Sequence, residues 1–436
     1  MEKEISLSKK YNLPDDIRII EHLDKFIIIA PKYSNWIVLN DCSEVEFFYL
    51  LRNHSIETAI ALFDGRESAV NNVILQIEAR HLESVQTTST NYTHMQLYLT
   101  NNCNMRCPHC FMYAGKKYEN ELSTEEILKL LSNFRESGGT RIILTGGEIG
   151  LRKDLREIII KAFTLGIQIE LLTNGTLFTD ELIKSIANKV SRVQVSIDGY
   201  SETSNRIIRG NDNFDKALHT VDKFINAGVR TEIAVTPFPS EQLANEVNNY
   251  IDFGRNLLKK YGENIIIKFT TDIMEGRDID SKKIDKQKYS DLMNKIIEGV
   301  YGESDDKSGF IISARQQVLN DNCAYGALNI SASGDVFPCA KVHSVEHFAN
   351  IRTTDWNDIV EMSNKLKDKS NIASLEPCKD CELLYICGGG CRLDYFESFL
   401  KPKELLKSEH ILPRTECNER KRILDLLIET NEYIFH

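Results

Sequence analysis

Hydrophobic and polar positions along the chain fall into three rhythms. Residues 1–86 begin with two runs dense in β-branched and aromatic residues, Arg18–Ala30 and Asn35–Leu39, parted at Pro31 to Ser34. These read as strands. Three helices follow: Ser43 to Arg52, opened by Asp41 with Glu44 as a capping box, Ser55 to Phe63, and Glu67 to Arg80. The polar stretch Ser84 to Asn91 is a linker. Beyond it, short apolar runs alternate with amphipathic helices, the pattern of parallel β/α units. Strands are expected at 95–100, 141–145, 167–172, 193–197, 230–235 and 265–269, and Ser123 with Glu126 opens the first intervening helix. Six units are fewer than the eight of a closed barrel, so an α/β fold with a partial (β/α)6 TIM barrel is expected over 94–304. From about residue 305 the rhythm is lost, and 305–436 ends in an amphipathic helix from Asn418 to Tyr433.

Composition narrows the classes. The chain has 436 residues, 42% hydrophobic and 27% charged, as soluble globular proteins of two or three domains do. No apolar run approaches the roughly 20 residues of a membrane helix, and residues 1–10 have no apolar signal region. A formal charge of -11 argues against nucleic acid as a partner. Eleven cysteines without an export signal point to metal ligation in a cytoplasmic protein rather than to disulfides.

The cysteines carry the chemistry. Cys103, Cys107 and Cys110 lie within eight residues, just after the first barrel strand. Three thiols hold three irons of a four-iron, four-sulfur cube and leave the fourth iron for another ligand. A structural zinc wants four protein ligands; His109 is available as a fourth, but it lies between two cysteines and is expected to point away. Residues at the C-terminal ends of the other strands matter in a β/α barrel. They read Gly146-Gly147-Glu148, Thr173-Asn174-Gly175, Ser196-Ile-Asp198-Gly199 and, past the sixth strand, Glu275-Gly276-Arg277. The glycines allow close approach of backbone to a ligand.

In this order, downstream of a three-cysteine loop, these motifs resemble the radical S-adenosylmethionine (SAM) superfamily. The resemblance implies that Cys103, Cys107 and Cys110 hold the SAM-binding [4Fe–4S] cluster. It further implies that Gly146, Gly147 and Glu148 meet the SAM amino group, and that Ser196 and Asp198 meet its ribose or methionine moiety. Arg209 resembles the arginine that pairs with the SAM carboxylate, for which a planar fork is suited. Glu275-Gly276-Arg277 matches a variant of the adenine-side turn. The family usually has proline where this chain has Ile149.

Seven cysteines lie further on: Cys323, Cys339, Cys378, Cys381, Cys387, Cys391 and Cys417. Paired zinc ribbons are one reading, although seven is one short of two four-cysteine sites. Their spacing resembles the SPASM domain, which carries two auxiliary [4Fe–4S] clusters. By that resemblance Cys378, Cys381, Cys387 and Cys417 hold the outer cluster, and Cys323, Cys339 and Cys391 the inner one. No eighth cysteine stands between Ser313 and Asn322, so the inner cluster is expected to have an open iron, filled by a substrate thiolate or Asp321. Asp335, after Gly334, reads as a turn residue rather than a base. Cys42 is expected to be a structural thiol.

The N-terminal ribbon and three helices resemble the RiPP recognition element, a winged-helix module similar to the peptide chaperone of pyrroloquinoline quinone biosynthesis. (RiPPs are ribosomally made peptides modified after translation.) That implies a leader peptide added as a strand to the ribbon's edge; an ordinary winged helix or a structural cap is the bland alternative. Together the resemblances imply a radical SAM/SPASM peptide maturase that uses a 5′-deoxyadenosyl radical and a flavodoxin- or ferredoxin-type electron donor. The run Leu99 to Gly115 with Glu121-Leu-Ser is similar to sactipeptide maturases, which form cysteine thioethers. Carbon–carbon or carbon–oxygen cross-linking, formylglycine formation and a non-catalytic electron carrier are the alternatives.

Overall fold

The structure is a computed structural model that describes residues 5–85, 87–89, 94–302, 317–321, 323–414, 417 and 419–435. The expected domain boundary at 304/305 and residues 313–316 and 322 lie outside the described residues.

At the N-terminus, β1 (Arg18–His22), β2 (Lys25–Ala30) and β3 (Asn35–Leu39) form an antiparallel sheet in the order β1-β2-β3. A two-residue turn joins β1 to β2, with Leu23 at φ 48° and Asp24 at φ 57°. Helices α1 (Cys42–Asn53), α2 (Ile56–Leu62) and α3 (Glu67–Arg80) cover one face, packing on Ile28, Ala30, Ile37 and Leu39. The other face, with Ile27, Ile29, Trp36 and Val38, packs on Leu383, Ile386, Leu424 and Leu427 of the C-terminal region. Burial on both faces explains why β2 is apolar without alternation. The Asp41 side chain caps α1 by accepting from Ser43 N and Glu44 N. Glu44, however, reaches back to Asn40 N at 2.6 Å, one residue before the partner a capping box requires.

A two-residue strand, β4 (Thr88–Ser89), precedes the barrel. The barrel strands are β5 (His94–Tyr98), β6 (Arg141–Thr145), β7 (Gln168–Thr173), β8 (Arg192–Ser196), β9 (Arg230–Val235) and β10 (Ile265–Phe269). All six are parallel neighbours in sequence order. Between and after them run α4 (Thr124–Glu136), α5 (Leu155–Thr164), α6 (Asp180–Ile186), α7 (Glu202–Arg209), α8 (Phe214–Asn226), α9 (Leu243–Tyr261) and α10 (Lys286–Tyr301). Ser123 and Glu126 form the capping box on α4.

The sheet does not stop at β5. After β11 (Val318–Leu319), which pairs with β4, strand β12 (Leu328–Ile330) lies parallel to β5, with Leu328 opposite Met95 and Ile330 opposite Leu97. β13 (Asp335–Phe337) and β14 (Ala349–Asn350) continue it antiparallel, giving nine strands in one sheet. Asp335 accepts from Ser333 Oγ and Asn350 Nδ2, both at 2.8 Å, and so holds the β12–β13 turn. No described helix is long and apolar enough to cross a membrane.

Candidate active site

The loop from Cys103 to Cys110 leaves the C-terminal end of β5 and forms one wall of a cavity of about 310 Å³. All three thiols line it, with Gly146 and Gly147 after β6, Thr173 and Asn174 at β7, Ser196 on β8, and Arg209 on α7. Gln96 and Gln194 on the strands, and Thr236 and Thr270 just past β9 and β10, also line it, although the motifs did not single them out. For the two glutamines, a polar residue within an otherwise apolar strand was the signal available.

Gly146 and Gly147 line the cavity and also pack against the root of the cysteine loop. A Cβ at Gly146 (φ 148°) would lie 2.5 Å from the Thr100 carbonyl oxygen, and one at Gly147 would lie 2.2 Å from that of Asn102. Gly147 N donates to Thr100 O at 2.7 Å and Glu148 N to Asn102 O at 2.8 Å. The glycines therefore weld the end of β6 to the root of the cysteine loop. Glu148 is wholly buried behind this wall. Its carboxylate accepts from Gly150 N (2.8 Å), Thr173 Oγ1 (2.7 Å) and Asn174 N (2.7 Å), which joins the β6 and β7 turns. Burial raises its pKa, and those three donors offset part of the rise.

Asp198 also stands behind the wall, 1% exposed, and faces protein rather than the cavity. Its Oδ2 lies 2.6 Å from Arg209 Nε and 3.2 Å from His109 Nε2, and its Oδ1 accepts from Thr236 N at 2.8 Å. Burial alone would push this carboxyl up, but the Arg209 and His109 charges outweigh it and hold the pKa at about 2. His109 thus does not point away, as its place between two cysteines suggested. It lines the cavity and ties the cysteine loop to β8.

Glu275-Gly276-Arg277 likewise meets the cysteine loop. Arg277 N donates to Cys110 O (3.3 Å) and Asp278 N to Pro108 O (2.8 Å). The Arg277 guanidinium reaches the carbonyls of Cys107 and Ala114. A Cβ at Gly276 would strike the His109 backbone at 2.7 Å. This turn, 170 residues from the loop, is its clamp. Burial raises the pKa of the Cys107 thiol, while Arg209 and Arg277 pull it back; Cys103 is raised by burial to about 11. Two fixed guanidiniums beside buried thiols suit a ligand that carries negative charge.

The C-terminal thiols gather in two sets. Cys339, raised by burial to about 11, feels the charges of Cys323 and Cys391. Cys381 feels Cys387 and Cys378, and Cys387 feels Cys417 and Cys378. Among the described residues, no three His, Cys, Asp or Glu side chains converge as a single ion requires. Sets of three and four thiols are donor sets that suit iron–sulfur clusters. Beside the set of three, Lys341 Nζ lies 3.7 Å from Cys391 Sγ and 3.3 Å from Asp394 Oδ2. The Asp321 carbonyl accepts from Ile372 N, and its charge is felt by Tyr385. The carboxylate next to Cys391 is Asp394. Cys42 is exposed at the start of α1.

Comparison with known proteins agrees with this arrangement. Residues 97–251 match the Radical SAM superfamily, and residues 323–382 match the SPASM iron–sulfur cluster-binding domain; domains of these kinds bind SAM and iron–sulfur clusters. The sporulation killing factor maturation protein SkfB of Bacillus subtilis is 28% identical over 255 residues, 56% of this chain and 59% of that protein. An AdoMet-dependent heme synthase of Methanosarcina barkeri is 26% identical over 323 residues, 67% of this chain and 89% of that protein. The crystal structure of Streptococcus suis SuiB bound to S-adenosylmethionine superimposes with a TM-score of 0.51 at 18% identity, covering 90% of this chain and 98% of that one. The fold is thus α/β, a radical SAM partial barrel with a SPASM domain behind it.

Proposed function

For a chain that carries a radical SAM domain and, behind it, an iron–sulfur SPASM domain, we propose the role of a peptide maturase that joins a cysteine sulfur to a peptide carbon. The observation that carries this reading is three sets of thiols in one chain, one opening on a cavity and two behind it. The likeness to SkfB, named as a maturation protein, supports the substrate class.

Cys103, Cys107 and Cys110 would hold the SAM-binding cluster, and the seven C-terminal cysteines the auxiliary pair. When bound, cluster and SAM supply a 5′-deoxyadenosyl radical able to take hydrogen from an unactivated carbon. The protein's own part is placement. Arg277 and the Gly146–Gly147 weld fix the cysteine loop from two sides. Asp198 fixes Arg209 at the cavity wall, leaving the far end of its guanidinium for a ligand carboxylate. Ser196, Thr236 and Thr270 offer hydroxyls to a polar ligand, and Gln96 and Gln194 line the same space. Enclosure by six strands limits water around a reactive intermediate. Lys341, held by Asp394 beside Cys391, puts a positive charge where a substrate thiolate would approach. We assign residues 1–86 to leader binding and a small iron–sulfur or flavin protein to electron supply.

The test has two readouts. Reduced, cluster-reconstituted protein should convert SAM to 5′-deoxyadenosine; absence of turnover with every reductant would leave an electron carrier. Any short cysteine-containing peptide found encoded beside the gene and co-expressed with this chain should lose two hydrogens while its cysteine becomes resistant to alkylation. A modified peptide with a free thiol would point to a carbon–carbon or carbon–oxygen bond. Modification of a porphyrin instead would favour the chemistry named for the heme synthase relative.

A further inference from the structure

One side chain joins the cavity to the inner thiol set. Tyr98 ends β5 and is 1% exposed. Its hydroxyl donates to Ala340 O at 2.9 Å and accepts from Gln96 Nε2 at 2.7 Å. Ala340 directly follows Cys339, and its carbonyl also takes Val342 N at 2.8 Å, which bends the chain into a turn. At the other end of this chain of bonds, Gln96 lines the cavity. Gln96 Oε1 has no hydrogen-bond partner among the described residues, so it is left for a ligand.

Packing alone does not ask for a hydroxyl here. A phenylalanine would fill the same space, and a buried hydroxyl is costly unless it is bonded. Both its donor and its acceptor are used, each by a different part of the molecule. Burial and the Cys339 charge push the phenol's pKa up, so it stays protonated and keeps donating. The turn it holds is tied in turn to the thiols. Lys341 N donates to Cys339 Sγ at 3.5 Å, and Lys341 Nζ lies 3.7 Å from Cys391 Sγ. A second tie to the barrel runs from His343 Nε2 to Met112 O at 3.1 Å, but it is exposed, as is Tyr113, whose ring meets His343 edge-on. Water competes for an exposed bond, so the Tyr98 link is the stiffer of the two.

We propose that Tyr98 is a positioning residue that reports occupancy of the cavity to the inner thiol set. A ligand that donates to Gln96 Oε1 fixes that amide against Tyr98, and Tyr98 fixes the turn after Cys339 through Ala340 O. SAM carries suitable donors in its ammonium and ribose hydroxyls. This rests on the reading of Cys323, Cys339 and Cys391 as one cluster site and adds to it a link with the cavity. Such coupling is reciprocal. Filling the cavity tightens the turn, and a filled inner site favours the ligand in the cavity by the same factor.

The experiment uses the full-length, cluster-reconstituted chain, with saturating SAM as the ligand and its binding checked by equilibrium dialysis. Hydrogen exchange in the segment from Lys341 to Ser344, which includes the amides bonded to Cys339 Sγ and Ala340 O, should slow about tenfold when SAM is added. Tyr98→Phe keeps the ring and removes only the hydroxyl. Its exchange there should be about tenfold faster without SAM and should not respond to SAM. The auxiliary EPR signal, which packing alone would not move, should change on adding SAM in the natural protein and stay fixed in Tyr98→Phe. His343→Ala, which cuts the exposed tie, should keep both responses. Should Tyr98→Phe fail to fold, Gln96→Leu carries the test: it should lose both responses while its SAM-free exchange stays as in the natural protein.

SAM-insensitive exchange in natural protein that binds SAM and holds auxiliary iron would overturn the link and leave the cluster reading intact. A full response in Tyr98→Phe would do the same, and its loss in His343→Ala alone would move the link to the cysteine loop. Absence of auxiliary iron would remove the cluster reading and this inference together.

Discussion

Two arginines stand where the thiols gather, and they are charged against different things. Arg209, beside Cys103 and Cys107, faces the Asp198 carboxylate. Arg392, wholly buried among the C-terminal thiols, donates to main-chain carbonyls, those of Ser370, Gly388 and Gly390. Burial works against both charges. At Arg209 the Asp198 carboxylate outweighs it and the guanidinium's pKa rises. At Arg392 the opposing charges are four cysteines, Cys323, Cys378, Cys391 and Cys387, which do not outweigh burial, and the pKa falls. Arg209 therefore has a carboxylate counter-ion within the protein, whereas Arg392 is held by neutral carbonyls beside the thiols.

The sharpest way to break this contrast is to remove each arginine. Arg209→Ala strands the Asp198 carboxylate in the interior and should cost about 3–5 kcal/mol, read from the urea midpoint of metal-free protein. Arg392→Met strands only neutral carbonyls and should cost about 1–3 kcal/mol. Equal losses would dissolve the distinction.

Acid probes the barrel side of the comparison without mutation. The folded pKa of Asp198, about 2, lies below the unfolded value of about 3.9. Its contribution is therefore present above pH 4 and is lost as pH falls from about 4 through 2. That contribution is on the order of 2 kcal/mol. Asp198→Asn should flatten this part of the stability profile.

Gly147→Ala tests the weld at the cysteine loop. Its Cβ meets backbone rather than a flexible side chain, so a cost of about 1–3 kcal/mol is expected. Iron bound by a variant lacking all seven C-terminal cysteines should fall with it, while the natural protein keeps most of its auxiliary iron. Smallest in stability is Lys341→Met, which removes a half-exposed charge beside Cys391. It should lower the reduction potential of one auxiliary centre in an EPR-monitored titration and leave the SAM-site signal unmoved.

What the sequence revealed, and what it hid, divides by the range of the contacts. The barrel strands were legible because their apolar runs and caps are local; β6, β9 and β10 have the expected limits. The thiols were legible because cysteine spacing is a local signature. Gly146 and Gly147 were noticed, but what they touch, Thr100 and Asn102, lies across the sheet. Arg277 was noticed, but its contacts with the carbonyls of Cys107 and Ala114 were not, for the same reason. Glu148 and Asp198 carried motif signals, yet burial turned both inward to hold other residues in place. Gln76 gave no signal, since an amide mid-helix reads as a solvated position until β3 is laid beside it.

The parallel pairing of β12 with β5 bears on how the chain can be taken apart. A piece ending at Gly302 would keep all six barrel strands and Cys103, Cys107 and Cys110, which suggests a convenient truncation. It would also uncover the main chain of Met95, Gln96 and Leu97, now paired with Leu328 to Ile330. An uncovered central strand of this kind is sticky. The truncated barrel should associate with copies of itself, and expression strategies, chimeras and domain exchanges should cut elsewhere.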